Sequence, residues 1–151
     1  ARYHDDLALD WVPARSLVRL PEGVSCETSA ALTLAAVDIP YDPQAALTIR
    51  AGYLALQRIC DFFAIPYNAV PKPDDPISIS RLEFDELYDF LAASDVPLKP
   101  DREQAWRDYR GWRVNYDVPL LSLALLLMAP PAPWSSDRYP AWRRHRLFRL
   151  R

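Results

Sequence analysis

Residues 101–133, DREQAWRDYRGWRVNYDVPLLSLALLLMAPPAP, decide the fold class of this chain. The first half of the stretch mixes aromatic residues with arginines, and the second half is an apolar run interrupted by Ser122. Five residues recur at alternating spacings of three and four positions: Trp106, Tyr109, Arg113, Tyr116 and Leu120. Because this spacing places side chains on one face of a helix, the stretch predicts helix rather than strand.

Residues within this stretch predict where its helices begin and break. Asp101 is a good N-cap residue, and Gln104 three positions later completes the pattern of a capping box. Pro119 lacks a backbone N–H and disfavours helical geometry at Val118. A kink or break is therefore expected at residues 117–118, with Pro119 opening the second helix.

The apolar run at residues 119–131 is too short to cross a membrane, because a spanning helix needs roughly 20 residues. A helix that is apolar all round is typical of a position inside a protein. We therefore expect this helix at the centre of a bundle, with residues 120–128 fully buried.

Proline-rich linkers divide the rest of the chain into further helical segments. These predicted helices span residues 1–11, 24–37, 43–64 and 80–93. In the third of them, the predicted inner stripe consists of Ile49, Tyr53, Leu56, Cys60 and Phe63. Gly52 is expected to let another helix approach closely, and Cys60 to be a small buried hydrophobe. The sequence predicts an all-α fold, a single-domain bundle of five or six helices at residues 1–137, followed by a basic tail at residues 138–151.

The helix at residues 80–93 shows a second capping box, formed by Ser80 and Glu83. Its apolar residues define the face that is expected to point inward: Phe84, Leu87, Phe90 and Leu91.

Composition narrows the function classes. A chain of 151 residues is expected to form one domain, and three glycines against fifteen prolines disfavour phosphate-binding loops. Cys26 and Cys60 show no disulfide or metal-ligand spacing, so no metal site is predicted. No cofactor and no catalytic residue are predicted either.

No signal peptide or membrane span is evident. The helical pattern starts at the first residue, which favours a domain cut from a longer protein, or else removal of a tag.

The charge is concentrated at one end. Residues 138–151 carry +6 and residues 1–137 carry −8, for a net charge of −2. Such a tail can bind an anionic membrane surface, an acidic partner or its own acidic body. Nucleic acid is disfavoured because the acidic body would repel a polyanion. The tail residues expected to contact a membrane or partner are Arg143, Arg144, Arg146, Arg149 and Arg151.

The aromatic and arginine residues of the opening stretch are the strongest candidates for a ligand site. Arginine can stack on tryptophan or tyrosine and still pair with a carboxylate, so the cluster could line an anion pocket. Its candidate ligand-binding residues are Trp106, Arg110, Trp112, Arg113, Tyr116 and Asp117. The alternative interpretation is structural, with the aromatic residues in the core and Arg113 partly buried in an ion pair. Asp117 is its nearest candidate partner, and Asp108 is the other.

Three motifs give a resemblance to a known family. They are GWRVNYD at residues 111–117, MAP at residues 128–130 and PWSSDR at residues 133–138. This run resembles the C-terminal part of actinobacterial membrane proteins described as ion-channel-like, of the two-pore potassium channel type. The resemblance implies a cytosolic domain that follows transmembrane helices. No TVGYG-type selectivity filter occurs in this chain, so ion conduction would belong to another part of such a protein.

Three function classes follow. The first is a non-catalytic cytosolic domain of a membrane protein, acting in assembly or regulation, with its own membrane-spanning region, an anionic membrane or a second copy as partner. The second is a freestanding helical protein-binding module. The third is a small helical enzyme that uses the arginine cluster or the carboxylates of Glu83, Glu86 and Asp89. The expected location is the cytoplasmic side of the plasma membrane, or the cytoplasm.

Overall fold

The computed structural model describes residues 26–130 together with Trp134 and Asp137. Its helices are α1 (Cys26–Ala36), α2 (Pro43–Phe62), α3 (Arg81–Ala93), α4 (Arg102–Arg113) and α5 (Asp117–Leu126). No strand occurs in these residues, where a single antiparallel bridge joins Val37 to Leu98. The predicted all-α fold is confirmed. The predicted helix at residues 1–11 and the basic tail lie outside the described residues.

Local capping chemistry sets the start of three helices. The carboxylates of Asp42 and Asp101 accept backbone N–H hydrogen bonds at the starts of α2 and α4, at 2.8 and 2.9 Å. The Ser80 hydroxyl accepts from the Glu83 N–H, while the Glu83 carboxylate accepts from the Ser80 N–H. Each bond satisfies a donor that the helix itself leaves unpaired. The predicted cap at Asp101 and the predicted capping box at Ser80 are confirmed. The second half of the box predicted at Asp101 is replaced by a bond from the Gln104 side-chain amide to Asp108.

Helix α1 is the centre of the described bundle, and it packs against both α2 and α4. Its buried face consists mainly of alanine, since Ala31 and Ala35 are fully buried. A Cβ placed on Gly52 of α2 would lie 2.2 Å from Oε1 and 2.3 Å from Cγ of Glu27. Gly52 therefore leaves room for the Glu27 side chain of α1 beside the α2 backbone, in line with the close approach predicted for Gly52.

The break between α4 and α5 comes earlier than predicted. Helix α4 ends at Arg113 and α5 begins at Asp117, so the break precedes the expected position at residues 117–118. Pro119 becomes the third residue of α5, where a missing N–H removes no intrahelical bond. The side-chain amide of Asn115 donates to the carbonyls of Gly111 and Trp112, which helps to satisfy the end of α4.

The predicted full burial of residues 120–128 holds for residues 121–123 and is wrong for the rest: Leu120, Ala124 and Leu125 are half-buried, and residues 126–128 are exposed. Leu121 is fully buried and Leu123 is 6% exposed, but Leu127 and Met128 are 70% and 88% exposed. Helix α5 ends at Leu126, and Met128 has a positive φ of 50°, which turns the chain away from the helical path. The apolar run thus contributes residues 121–123 to the core. The central position in the bundle, which was expected for α5, is occupied by α1.

The inward face of α3 also differs from the prediction at one position. Phe84 and Leu91 are buried, but Phe90 is 49% exposed and Tyr88 is buried instead. At about 100° per residue, Tyr88 lies near Phe84 on the helix surface and Phe90 lies well away from it.

Shortening Leu123 should destabilise the fold far more than shortening Leu126. Leu123→Ala is expected to lower the free energy of unfolding by about 2–5 kcal/mol, because it leaves a cavity in the core. Leu126→Ala, one turn later on the same helix, should cost less because that side chain is 48% exposed. Urea denaturation followed by circular dichroism measures both. Equal losses for the two variants would contradict this assignment of α5.

Candidate functional site

Arg113 forms a buried ion pair with Asp117. The Arg113 Nε lies 2.6 Å from Asp117 Oδ1, and both side chains are almost completely excluded from solvent. Arg113 is the last residue of α4 and Asp117 the first of α5, so the pair spans the break between these helices. The burial is more complete than the partial burial predicted from the sequence.

Other segments also bind this pair. The Arg113 guanidinium donates to the Thr28 hydroxyl at 3.0 Å and to the Trp134 carbonyl at 2.7 Å. The Asp117 carboxylate accepts from the Ser78 backbone N–H at 2.9 Å and from the Ser78 hydroxyl at 2.6 Å. We call these five residues the polar node. It joins α1, the loop before α3, the α4–α5 break and the segment at Trp134.

The electrostatics of the polar node keep Arg113 charged. Burial alone would lower the pKa of its guanidinium, but Tyr109, Asp117 and Tyr116 together raise that pKa above its ordinary value. The guanidinium carbon lies 5.1 Å from the centre of the Tyr116 ring, and burial raises the pKa of the Tyr116 hydroxyl. Since these partners surround the cation, a ligand could reach it only by displacing them. The polar node is therefore organised to connect segments of the fold.

Trp106 and Arg110 lie in a second place, at the aromatic part of the core. The Trp106 ring packs on Phe84 with 5.2 Å between ring centroids, and the Arg110 guanidinium lies 5.9 Å from the Trp106 ring. Arg110 also donates to the backbone carbonyl of Asp74 at 3.1 Å. It thereby links α4 to the proline-rich loop before α3.

Trp112 lies in a third place, an open surface cleft between α1 and α4. The cleft is lined by Leu34, Tyr41, Pro73, Lys99, Arg107, Asp108, Gly111, Trp112 and Asn115. The Lys99 ammonium donates to the Leu34 carbonyl at 2.5 Å, and Arg107 donates to the side chain of Gln104 at 2.8 Å. Sequence reasoning missed Tyr41 and Lys99 because they come from separate linkers with no shared spacing.

The six candidate ligand-binding residues thus divide among three places. Arg113, Tyr116 and Asp117 are together in the interior, Trp106 and Arg110 flank the aromatic core, and Trp112 lines the cleft. Ligand binding at these residues stays a prediction. An enzyme that uses this cluster would need these residues around one common pocket. In the described part of the chain they do not surround one pocket.

The three acids of α3 are also partly accounted for. Glu83 belongs to the capping box, and Asp89 pairs with Arg102 of α4. In the described residues, no group of three or more histidine, cysteine, aspartate or glutamate side chains could hold a metal ion. Cys60 is fully buried, and burial raises the pKa of its thiol, as expected for a small core residue.

Helix α2 carries an apolar surface on the side opposite to its buried face. Ile49 and Cys60 are fully buried, whereas six apolar residues on the other side are exposed. We call these six the α2 outer face: Leu47, Ala51, Leu54, Ala55, Ile59 and Phe62. Exposure reaches 58% for Leu47 and 83% for Phe62. The inner stripe and the α2 outer face both show helical spacing in the sequence, and that spacing alone does not show which of them faces solvent.

The inner stripe of α2 was itself predicted to include Phe63. That residue is 51% exposed, because it caps the C-terminus of α2 where the helix has already ended.

Among residues 26–130, no helix is both long enough and apolar enough to cross a membrane. The tail arginines at 143, 144, 146, 149 and 151 lie outside the described residues. Comparison of the chain with protein-family models, curated proteins and solved structures found no match. Its function must therefore be argued from its own residues.

Proposed function

We propose that this chain is a non-catalytic helical domain of an ion-channel-like membrane protein, on the cytoplasmic side, where it acts in assembly or regulation through protein contacts. The observation that carries the proposal is the α2 outer face, an apolar helix surface that faces solvent. The resemblance at residues 111–117, 128–130 and 133–138 supports the membrane-protein context.

The α2 outer face is unusual because its apolar residues follow one another along the helix, interrupted once by Arg58. Leu47, Leu54 and Phe62 lie along one strip of the helix, with Ala51 and Ala55 between them. Scattered exposed apolar residues are normal on a protein surface, whereas a contiguous patch marks an interaction site. A helix with two apolar faces needs a partner on each. Helix α1 covers one face, and we assign the other to a protein contact.

The placement of the charged residues supports a non-catalytic role. Arg113 and Asp117 form a buried ion pair inside the fold, and Asp89 pairs with Arg102 at the surface. A general acid or base must reach its substrate within hydrogen-bond distance. Buried residues that hold four segments together do not offer that access.

The experiment uses the complete product of the gene, solubilised from membranes and separated by native gel electrophoresis. Leu54→Glu with Phe62→Glu should remove the assembled species, because both charges fall on the α2 outer face. Leu82→Glu is the matched control, since Leu82 is 68% exposed on α3, away from that face. Assembly that is unchanged in the double variant, or absent from the unmodified protein, would overturn the proposal.

The basic tail gives the proposal a separate test. Each basic residue near an anionic membrane contributes about 1 kcal/mol, so the tail can hold an acidic domain at the surface if the acidic body faces away. The full chain should sediment with liposomes that contain anionic lipid, and a chain ending at Asp137 should not. Equal sedimentation of both chains, with a large loss of thermal stability on truncation, would show instead that the tail packs on its own domain.

A further inference from the structure

We propose that the α2 outer face is covered by a second copy of the same chain, with the two α2 helices antiparallel. This inference rests on the proposed function and names its partner. It follows from the order of apolar, small and charged residues along α2. When a second α2 helix lies alongside in the opposite direction, Leu47 meets Phe62 and Arg50 comes close to Asp61.

The apolar residues define the register. At about 100° per residue, Leu54, Leu47, Ala51 and Phe62 fall within about 80° of arc, so one neighbouring helix can contact all four. An antiparallel pair centred between Leu54 and Ala55 places Leu47 of one copy opposite Phe62 of the other. The two large residues at the ends then pack on each other, once at each end of the pair.

The charged residues favour the same register. Arg50 and Asp61 lie on the same flank of the apolar strip, and both are exposed. In a two-fold symmetric antiparallel pair, the same flanks meet. In this register Arg50 is offset by about 3 Å along the helix axis from Asp61 of the second copy, within reach of a long arginine side chain. The symmetry produces this ion pair twice.

At the centre of the pair, Leu54 of each copy lies opposite Ala55 of the other, and Ala51 lies one turn away. Ala51 and Ala55 allow the helix backbones to approach closely near the two-fold axis. Arg58 is the one charged residue within the strip, and it lies opposite Ala51 of the second copy. A small residue at that position leaves room for the arginine stem to lie along the interface while its guanidinium reaches water.

Parallel pairing lacks this ion pair. In a two-fold parallel pair opposite flanks meet, so Arg50 and Asp61 would face the flank that carries Ala55 and Ile59 of the second copy. The charged residues would then have apolar neighbours in place of each other. The charge pattern therefore distinguishes between the two orientations that the apolar residues alone would allow.

The area of the α2 outer face sets the expected affinity of the dimer. Helix α2 has 20 residues and is about 30 Å long, whereas a stable interface buries about 800 Å² on each partner. One helix face supplies less than that, so the isolated chains should form a reversible, concentration-dependent dimer. In a membrane-bound protein, a high effective concentration would favour the same contact.

Sedimentation velocity of the full chain over a concentration series tests the association. We expect a shift from monomer to dimer, its loss in Arg50→Glu and in Asp61→Arg, and its recovery in the variant carrying both changes. Asp61 also accepts a hydrogen bond from the Tyr67 hydroxyl at 3.0 Å. Tyr67→Phe is therefore the control for loss of that bond, and it should associate normally. Far-UV circular dichroism checks that each variant is folded.

Oxidative cross-linking tests the orientation, in a Cys26→Ser background that leaves buried Cys60 as the other thiol. A mixture of Leu47→Cys chains and Phe62→Cys chains should form a disulfide-linked dimer that neither forms alone. Cross-linking of Leu47→Cys with itself would indicate a parallel pair and overturn the proposal.

The outcomes separate this inference from the proposed function. A chain that stays monomeric at every concentration, or a charge exchange that does not restore association, overturns the second copy as the occupant. If Leu54→Glu with Phe62→Glu still removes assembly of the complete protein in that case, the proposed function stands with a different partner.

Discussion

Replacing Arg113 with alanine is expected to lower the free energy of unfolding by about 3–5 kcal/mol. The substitution leaves the buried carboxylate of Asp117 without its cation and removes the guanidinium N–H groups that donate to the Thr28 hydroxyl and the Trp134 carbonyl. A buried charge without its counter-ion costs far more in a low-dielectric interior than in water. Urea denaturation, followed by circular dichroism, measures the change.

Arg107→Ala is the matched control for this prediction. Arg107 is on the same helix and is exposed, with a hydrogen bond to the Gln104 side chain, so its removal should change stability by no more than about 0.5 kcal/mol. Combining Arg113→Ala with Asp117→Ala should cost less than the sum of the two single changes, because they act on one network. Full stability of Arg113→Ala, combined with loss of a ligand-binding signal, would mean that the residue serves a ligand.

Phe84→Ala is expected to lower the free energy of unfolding by about 3–5 kcal/mol. The Phe84 ring is 1% exposed and contacts the rings of Tyr88, Trp106 and Tyr109, with centroid distances from 5.2 to 6.1 Å. Truncation would remove the side chain at the centre of this aromatic cluster and leave a cavity that the rigid rings cannot fill. The same denaturation measurement reports the loss.

Phe90→Ala provides the control on the same helix. Phe90 has the same side chain but is 49% exposed, so its truncation should have a much smaller effect. A loss as large as that of Phe84→Ala would show that Phe90 is covered in solution, and the assigned inner face of α3 would then be wrong.

Local chemistry explains what the sequence could predict. The caps at Ser80 and Asp101 and the pairing of Arg113 with Asp117 depend on residues within a few positions of each other, and each was visible as a spacing. Helix periodicity gave the all-α class for the same reason.

Features that depend on distant segments could not be predicted in this way. The Arg113 side chain binds Thr28, which is 85 positions away, and Ser78, which is 35 positions away, so no spacing reveals the polar node. The exposed end of α5 depends on where neighbouring helices stop. The cleft is lined by Tyr41 and Lys99, which come from separate linkers that share no sequence motif. The helical spacing of the α2 outer face is visible in the sequence. Tertiary packing decides which of the two apolar stripes of α2 faces solvent.

The central claim is that Arg113 belongs to the interior of the fold and that contacts with other molecules occur elsewhere. Its most direct test is the arginine Nε–H signal in an ¹⁵N-correlated NMR spectrum, assigned by its loss in Arg113→Lys. We expect a sharp cross-peak at neutral pH that is protected from exchange and unchanged by added phosphate. A signal lost to solvent exchange, or one that shifts as phosphate is added, would contradict a buried structural arginine.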